Sequence, residues 1–119
     1  MPTHPVPSSV SPLLALDPQP SLLLDVQARP LELNAALLAL LGESGSQTLA
    51  GCLPANHVQL VRACLEQRRA IEEVEAQFGE RVLLWNFVPD PQEGRVLARC
   101  RDASAQILGE REAARARRL

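Results

Sequence analysis

The chain alternates between two hydrophobic rhythms, and the switches between them mark its elements. Ser21–Val26 is a short apolar run that predicts a buried strand. Gln27–Pro30 supplies a turn, and Leu31-Glu32-Leu33 alternates as a second strand, which makes a hairpin. Asn34 then stands where a helix cap belongs, ahead of the apolar Ala35–Leu41, with Gly42 as the stop. Residues 43–56 carry no clear period. From His57 to Gln67 the positions His57, Leu60, Val61, Cys64 and Leu65 recur at helical spacing, with Asn56 as the expected cap. Ile71–Phe78 changes to a period of two: Val74, Ala76 and Phe78 on one side, Glu73, Glu75 and Gln77 on the other.

The last third is the most patterned. Val82–Val88 is apolar on both sides, Leu83, Trp85 and Phe87 against Val82, Leu84 and Val88. Such a strand is expected to be central and covered on both faces. One cover would be the chain's own helices, the other the N-terminal helix or a second subunit. A turn at Pro89–Gly94 leads into Arg95–Asp102, where Val96, Ala98 and Cys100 oppose Arg95, Leu97, Arg99 and Arg101. Residues 105–119 read as a charged, alanine-rich outgoing helix. At the other end, Ser11-Pro12 opens a short helix over Ser11–Asp17 that Pro18 and Pro20 stop. The expected organisation is a flexible Pro/Ser-rich arm at 1–10, a domain at 11–104, and the start of a C-terminal signalling helix at 105–119. The fold class is α+β, a five-stranded antiparallel sheet with helices packed on one face.

Composition narrows the function. At 119 residues with 46% hydrophobic and 22% charged content, the chain makes one globular domain with a core of its own. The net charge is −2, but it is unevenly placed. Residues 1–94 carry 5 Arg and 11 acidic residues, and residues 95–119 carry 7 Arg and 3 acidic residues. No aromatic side chains interleave with those arginines, so a solvated helix face is expected rather than a nucleic-acid surface. Lysine and tyrosine are absent, and Phe78, Trp85 and Phe87 are the only aromatics, a thin supply for a stacked chromophore. Cys52, Cys64 and Cys100 match no metal or redox spacing and suggest reduced thiols in a cytoplasmic protein. Packing is the expected role of Cys64 and Cys100, whereas Cys52, in the irregular segment, is a candidate exposed redox site. No secretory signal or membrane-length apolar run is visible. No nucleophile–base pair, phosphate loop or metal-spaced cluster points to an enzyme.

Several stretches, taken in order, resemble a PAS domain. They are Asp25 with Asn34-Ala-Ala-Leu-Leu-Ala-Leu-Leu-Gly42, the long helix of Leu53–Leu65, the strand of Leu84-Trp-Asn-Phe-Val-Pro89, and Arg101-Asp-Ala-Ser104, similar to the family's closing Asp-Ile-Thr triplet. The resemblance spans about Ser11 to Ser104. Ala28 departs from it, standing where the family often has a turn glycine, and Ala103 and Ser104 replace the usual Ile and Thr.

The resemblance implies a sensory module of a bacterial-type signalling or two-component protein. Such a module dimerises, has a ligand pocket between sheet and helices, and relays a change through its outgoing helix to an effector such as a kinase or cyclase. Residues expected to line the pocket are Leu33, Leu38, Leu41, Leu60, Val61, Cys64, Trp85 and Phe87. Asp102 and Ser104 are the expected coupling residues, Ser104 as a hydroxyl cap. Leu13, Leu14, Leu16, Val82, Leu84 and Val88 are the expected homodimer interface. No cofactor is expected. Two rival readings remain. One is a ligand-free interaction module whose leucines, Leu38, Leu41, Leu49, Leu60 and Leu83 among them, fill the interior. The other is a haem sensor ligated by His57, which stands near the position of the proximal histidine in haem-binding members. Trp85 suits either a pocket wall or plain packing.

Overall fold

The structure, a computed structural model, describes Leu14, residues 16–43 and residues 49–118. The arm at 1–10 and Leu13 lie outside the described residues. Five strands, β1 (Ser21–Leu24), β2 (Pro30–Leu33), β3 (Ile71–Phe78), β4 (Arg81–Asp90) and β5 (Arg95–Asp102), form one sheet. Helices α1 (Ala35–Glu43), α2 (Leu49–Cys52) and α3 (His57–Gln67) lie between β2 and β3, and α4 (Ser104–Arg117) leaves after β5. The sheet order is β2-β1-β5-β4-β3, antiparallel throughout, the PAS-like α+β arrangement. β5, rather than β4, is therefore the middle strand; β4 is second from the β3 edge.

Period two decides the two faces. Leu22, Leu24, Ala76, Phe78, Leu83, Trp85, Phe87, Val96, Ala98 and Cys100 point inward and meet Leu37, Leu40, Cys52, Val61 and Cys64 from the helices, and Leu53 just after α2, in one buried cluster. The contacts of α1 with β1, α2 with β3, and α3 with β4 and β5 place these helices on that face. Trp85, with no exposed surface, donates its indole N–H to Cys52 O at 2.8 Å, so the largest core residue brings its own hydrogen-bond partner.

Local chemistry sets the ends of the elements. β1 stops at Leu24, two residues short of the expected strand, because Asp25 turns the chain: its Oδ1 accepts N–H bonds from Gln27 at 2.9 Å and Arg29 at 2.8 Å. Ala28 closes that turn at φ 62°, in the left-handed region that a glycine would take without strain. β3 carries a bulge between Ile71 and Val74, where Glu73 takes φ 60° and donates its N–H to Asn86 Oδ1 at 2.8 Å. Asn56 does not cap α3 with its side chain; the entering turn is closed by the His57 N–H on Pro54 O at 3.0 Å. Among the described residues, no helix is long and apolar enough to cross a membrane.

Candidate functional site

Val82, near the start of β4, holds the root of the outgoing helix at both of its backbone groups. Its N–H donates to Ser104 Oγ at 2.8 Å, and its carbonyl accepts from the Ala103 N–H at 2.8 Å. One residue earlier in the chain, Asp102 Oδ1 accepts the Ser104 N–H at 2.9 Å, and Asp102 Oδ2 lies 3.6 Å from Arg81 Nη1. The hydrogen bonds from Ser104, helped by Arg81, hold the Asp102 carboxyl below the ordinary aspartate value of 3.8. The expected roles are thus exchanged in part. Ser104 does not cap its own helix but ties it to the neighbouring strand, and Asp102 satisfies the first helical N–H. Beyond this root, Arg111 pairs with Glu75 at 2.7 Å, and Arg101 bonds Gln106 at 2.9 Å and Glu73 at 3.4 Å. The helix therefore starts out along the outer face of β3 and β4.

A second polar cluster fastens the chain at the opposite end of the outer face. Asn34 is 2% exposed. Its Oδ1 accepts the Leu37 N–H, which caps α1 as expected, and also the Ser21 N–H, both at 3.0 Å. Its Nδ2 donates to Gln19 O at 2.8 Å and to Leu14 O and Asp17 O at 3.2 Å. Asp17 then takes Arg99 Nε at 2.6 Å and Nη2 at 3.0 Å, with further bonds from Ser21 Oγ and the Gln19 N–H. Arg99 is the main reason that the Asp17 carboxyl is held below 3.8. This cluster pins Leu14 and the 16–20 segment down. The sequence marks Asn34 only as a helix cap, and no spacing rule links Asp17 to Arg99.

Four of the expected pocket residues, Val61, Cys64, Trp85 and Phe87, are fully buried in the core cluster, and Leu33, Leu41 and Leu60 pack against it half-buried. Leu38 departs from the expectation: it is 58% exposed, on the solvent side of α1. Cys52 is buried rather than redox-accessible. Burial pushes its thiol up to about 11 and that of Cys100 up to about 12. Cys64 is also raised by burial, and its Sγ lies 3.6 Å from Phe87 O. These are inert packing thiols. His57 heads α3 with Nδ1 3.0 Å from Pro54 O, a bond that braces its own turn. The space a haem would need between sheet and helices is taken up by Trp85, Phe78, Phe87, Leu37 and Val61, each no more than 1% exposed, so the residues present do not fit that group.

The expected dimer surface is also altered. Val82 and Leu84 are buried within the single chain, as is Leu14, so these three are not available to a partner. Leu16 at 81% and Val88 at 42% exposure remain accessible. Between Leu14, Leu23, Val88 and Leu97 runs an outer-face groove of about 420 Å³, edged by Arg95 and Arg99. A smaller groove of about 310 Å³ opens on the inner face, between α1 and the ends of β4 and β5 where Arg81 and Asp102 stand. Among the described residues, no group of three or more His, Cys, Asp or Glu is placed to hold a metal ion. No family model matches the chain, and neither does any curated protein.

Proposed function

We propose that this chain is a cytoplasmic PAS-type regulatory module that relays conformational change from its sheet to an effector through α4, and that it works as a homodimer. The observation that carries the reading is the junction at Val82, where one strand residue holds both Ala103 and Ser104. A small shift of β4 against β5 must move the helix root, because both backbone groups of Val82 are committed to it. The neighbouring Arg81–Asp102 pair is partly exposed and 3.6 Å long, so it adds little stability. A junction of this strength is suited to two populated arrangements, since a bias of a few kcal/mol moves such an equilibrium. The dimer would form on the part of the outer face still open, around Leu16 and Val88.

The test is amide hydrogen exchange on Asp102→Ala and Ser104→Ala. Both variants should keep the exchange protection of β4 and β5 while protection over the first two turns of α4 falls. Loss of protection throughout the sheet would make the junction purely structural and end the relay reading. Native mass spectrometry of the unmodified chain tests the dimer, and a monomer at all concentrations would remove that part.

A second reading, a ligand-free interaction module, is favoured by the interior. Trp85 satisfies its N–H within the chain, and the residues expected to line a pocket, Leu38 excepted, pack in the same core cluster instead. On either reading the output passes through α4.

A further inference from the structure

The outer face carries an apolar strip with an arginine–carboxylate pair at each end. Leu23 of β1, Leu97 of β5 and Val88 of β4 stand side by side across three strands and floor the groove of about 420 Å³, with Leu14 as a wall. Arg95 and Arg99 flank Leu97 on the same face of β5, about 13 Å apart along the strand. The two pairs differ. Arg99 is filled along one edge, since its Nε and Nη2 donate to Asp17 at 2.6 and 3.0 Å. Arg95 donates only its Nη2 to Asp90, at 3.1 Å, and its Nε is buried without a hydrogen-bond partner among the described residues. Buried donors are almost always paired, so a covered guanidinium N–H left open beside an apolar strip marks a place for an acceptor that the chain does not supply.

The geometry points to this groove as a binding site for a free medium-chain fatty carboxylate. The ligand carboxylate accepts from Arg95 Nε and from Nη2 beside it, the same two-bond edge that Asp17 fills on Arg99. The alkyl chain lies along Val88, Leu97 and Leu23 and ends at Leu14, where the closed Arg99–Asp17 pair bounds the strip. Asp90 gives way at little cost, because its one bond to Arg95 joins side chains 41% and 37% exposed. Exchange of that bond lets the guanidinium turn and bring its Nε–H to the ligand head. An ammonium head would meet Arg95 as a like charge, and a head without a tail would leave the strip in water, which is the basis of selection. A peptide suits the floor less well: β1, β5 and β4 each have a strand on both sides, so no free backbone ladder is offered. The volume falls within the range of sites that hold small ligands.

Octanoate is the probe, titrated into the full chain by calorimetry, beside octylamine, which keeps the tail and reverses the head charge, and acetate, which keeps the head and lacks the tail. Octanoate should saturate at millimolar concentration or below, with both comparators weaker by roughly tenfold or more. Arg95→Met, which keeps an apolar stem, should weaken octanoate by a similar factor and leave octylamine no weaker. Val88→Glu, at a residue already 42% exposed, sets a carboxylate in the path of the tail and should abolish octanoate binding. No saturable octanoate binding, or octylamine equal to octanoate, overturns the proposal, as does full affinity in a folded Arg95→Met or Val88→Glu variant. The groove shares Val88 with the proposed dimer surface, so the titration is run at a protein concentration where native mass spectrometry finds monomer. Failure to bind there removes the site, whereas failure of the chain to dimerise at any concentration leaves it standing.

Discussion

The two faces of this sheet are built from different materials. The inner face is closed by shape: Trp85, Phe78, Phe87 and Leu83 interlock with Leu37, Val61 and Cys64, and each is no more than 1% exposed. The outer face is closed by fastenings. Leu14 and the 16–20 segment are held over one end by Asn34 and by Asp17 on Arg99. The root of α4 is held at the other end by Ser104 on Val82 and Arg111 on Glu75. Packed cores resist change and lose several kcal/mol when cut. Exposed ion pairs and single hydrogen bonds are each worth about 1 kcal/mol and can be exchanged. The difference places the movable parts on one side: the rigid inner face sets the sheet, and the weakly fastened outer elements respond to it.

The largest expected effect cuts the rigid face. Trp85→Ala should cost about 3–5 kcal/mol in denaturant unfolding, from lost burial and the cavity left behind. It also leaves Cys52 O without its donor. On the outer face, Val88→Ala removes a side chain of a residue that is 42% exposed and should change stability by less than about 0.5 kcal/mol. If Val88→Ala instead costs more than about 1 kcal/mol, and the loss depends on protein concentration, the outer face is covered in solution by a second copy. The contrast between the faces would then hold only for the isolated chain.

Asn34→Ala tests the joint between the two faces, because Asn34 caps α1 while it holds the segment before β1. The cap alone is worth about 0.5–2 kcal/mol, and buried carbonyls left without a donor add to it. A total of about 2–3 kcal/mol is expected. Asn34→Asp is the sharper variant. It keeps an oxygen for the Leu37 and Ser21 N–H groups but turns an acceptor toward the carbonyls of Leu14, Asp17 and Gln19. It should be at least as damaging as alanine, with exchange protection lost in the 16–20 segment before it is lost in β1. A benign Asn34→Asp would mean that the N-terminal segment is not fastened there.

How much of this was legible in the sequence follows the same division. Alternation marked the inner row of β3 and β5, and helical spacing marked the buried side of α3, because each of these patterns has a largely polar counterface. α1 has no such counterface. Ala35–Leu41 is apolar all round, and Leu38 was expected in the interior but stands in solvent. On the outer face, the apolar row Val82, Leu84 and Val88 signalled that a cover exists but not which one, since a helix of the same chain and a second copy bury it equally well. The fastenings themselves were out of reach. Asp17 and Arg99 are 82 residues apart, and Asn34 reaches back 20 residues to Leu14. Asp102 and Ser104 were singled out through resemblance, but the bond from the Val82 N–H to Ser104 depends on strand register that no local motif specifies.

The smallest effect probes the outer fastening by charge. Arg99→Met leaves the inner core untouched and removes a two-bond pair in which the Asp17 side chain is only 12% exposed but Arg99 is 38% exposed. With one partner open to water, the cost should be about 1 kcal/mol, falling further at high salt in the unmodified chain. The pH dependence gives the sign. In the folded chain Asp17 is held below the ordinary 3.8, chiefly by its bond from Arg99. Its contribution is therefore complete above 3.8 and is lost as the pH falls through the lower folded value. Arg99→Met removes the chief cause, so its stability should decline less steeply on acidification than that of the unmodified chain. Some acid sensitivity should remain, because Asp25 and Asp102 are lowered by partners of their own. Urea unfolding of both proteins across the acid range measures the two slopes. Parallel curves would mean that Asp17 draws nothing from Arg99, leaving Asn34 and the buried Leu14 to hold the segment against the sheet.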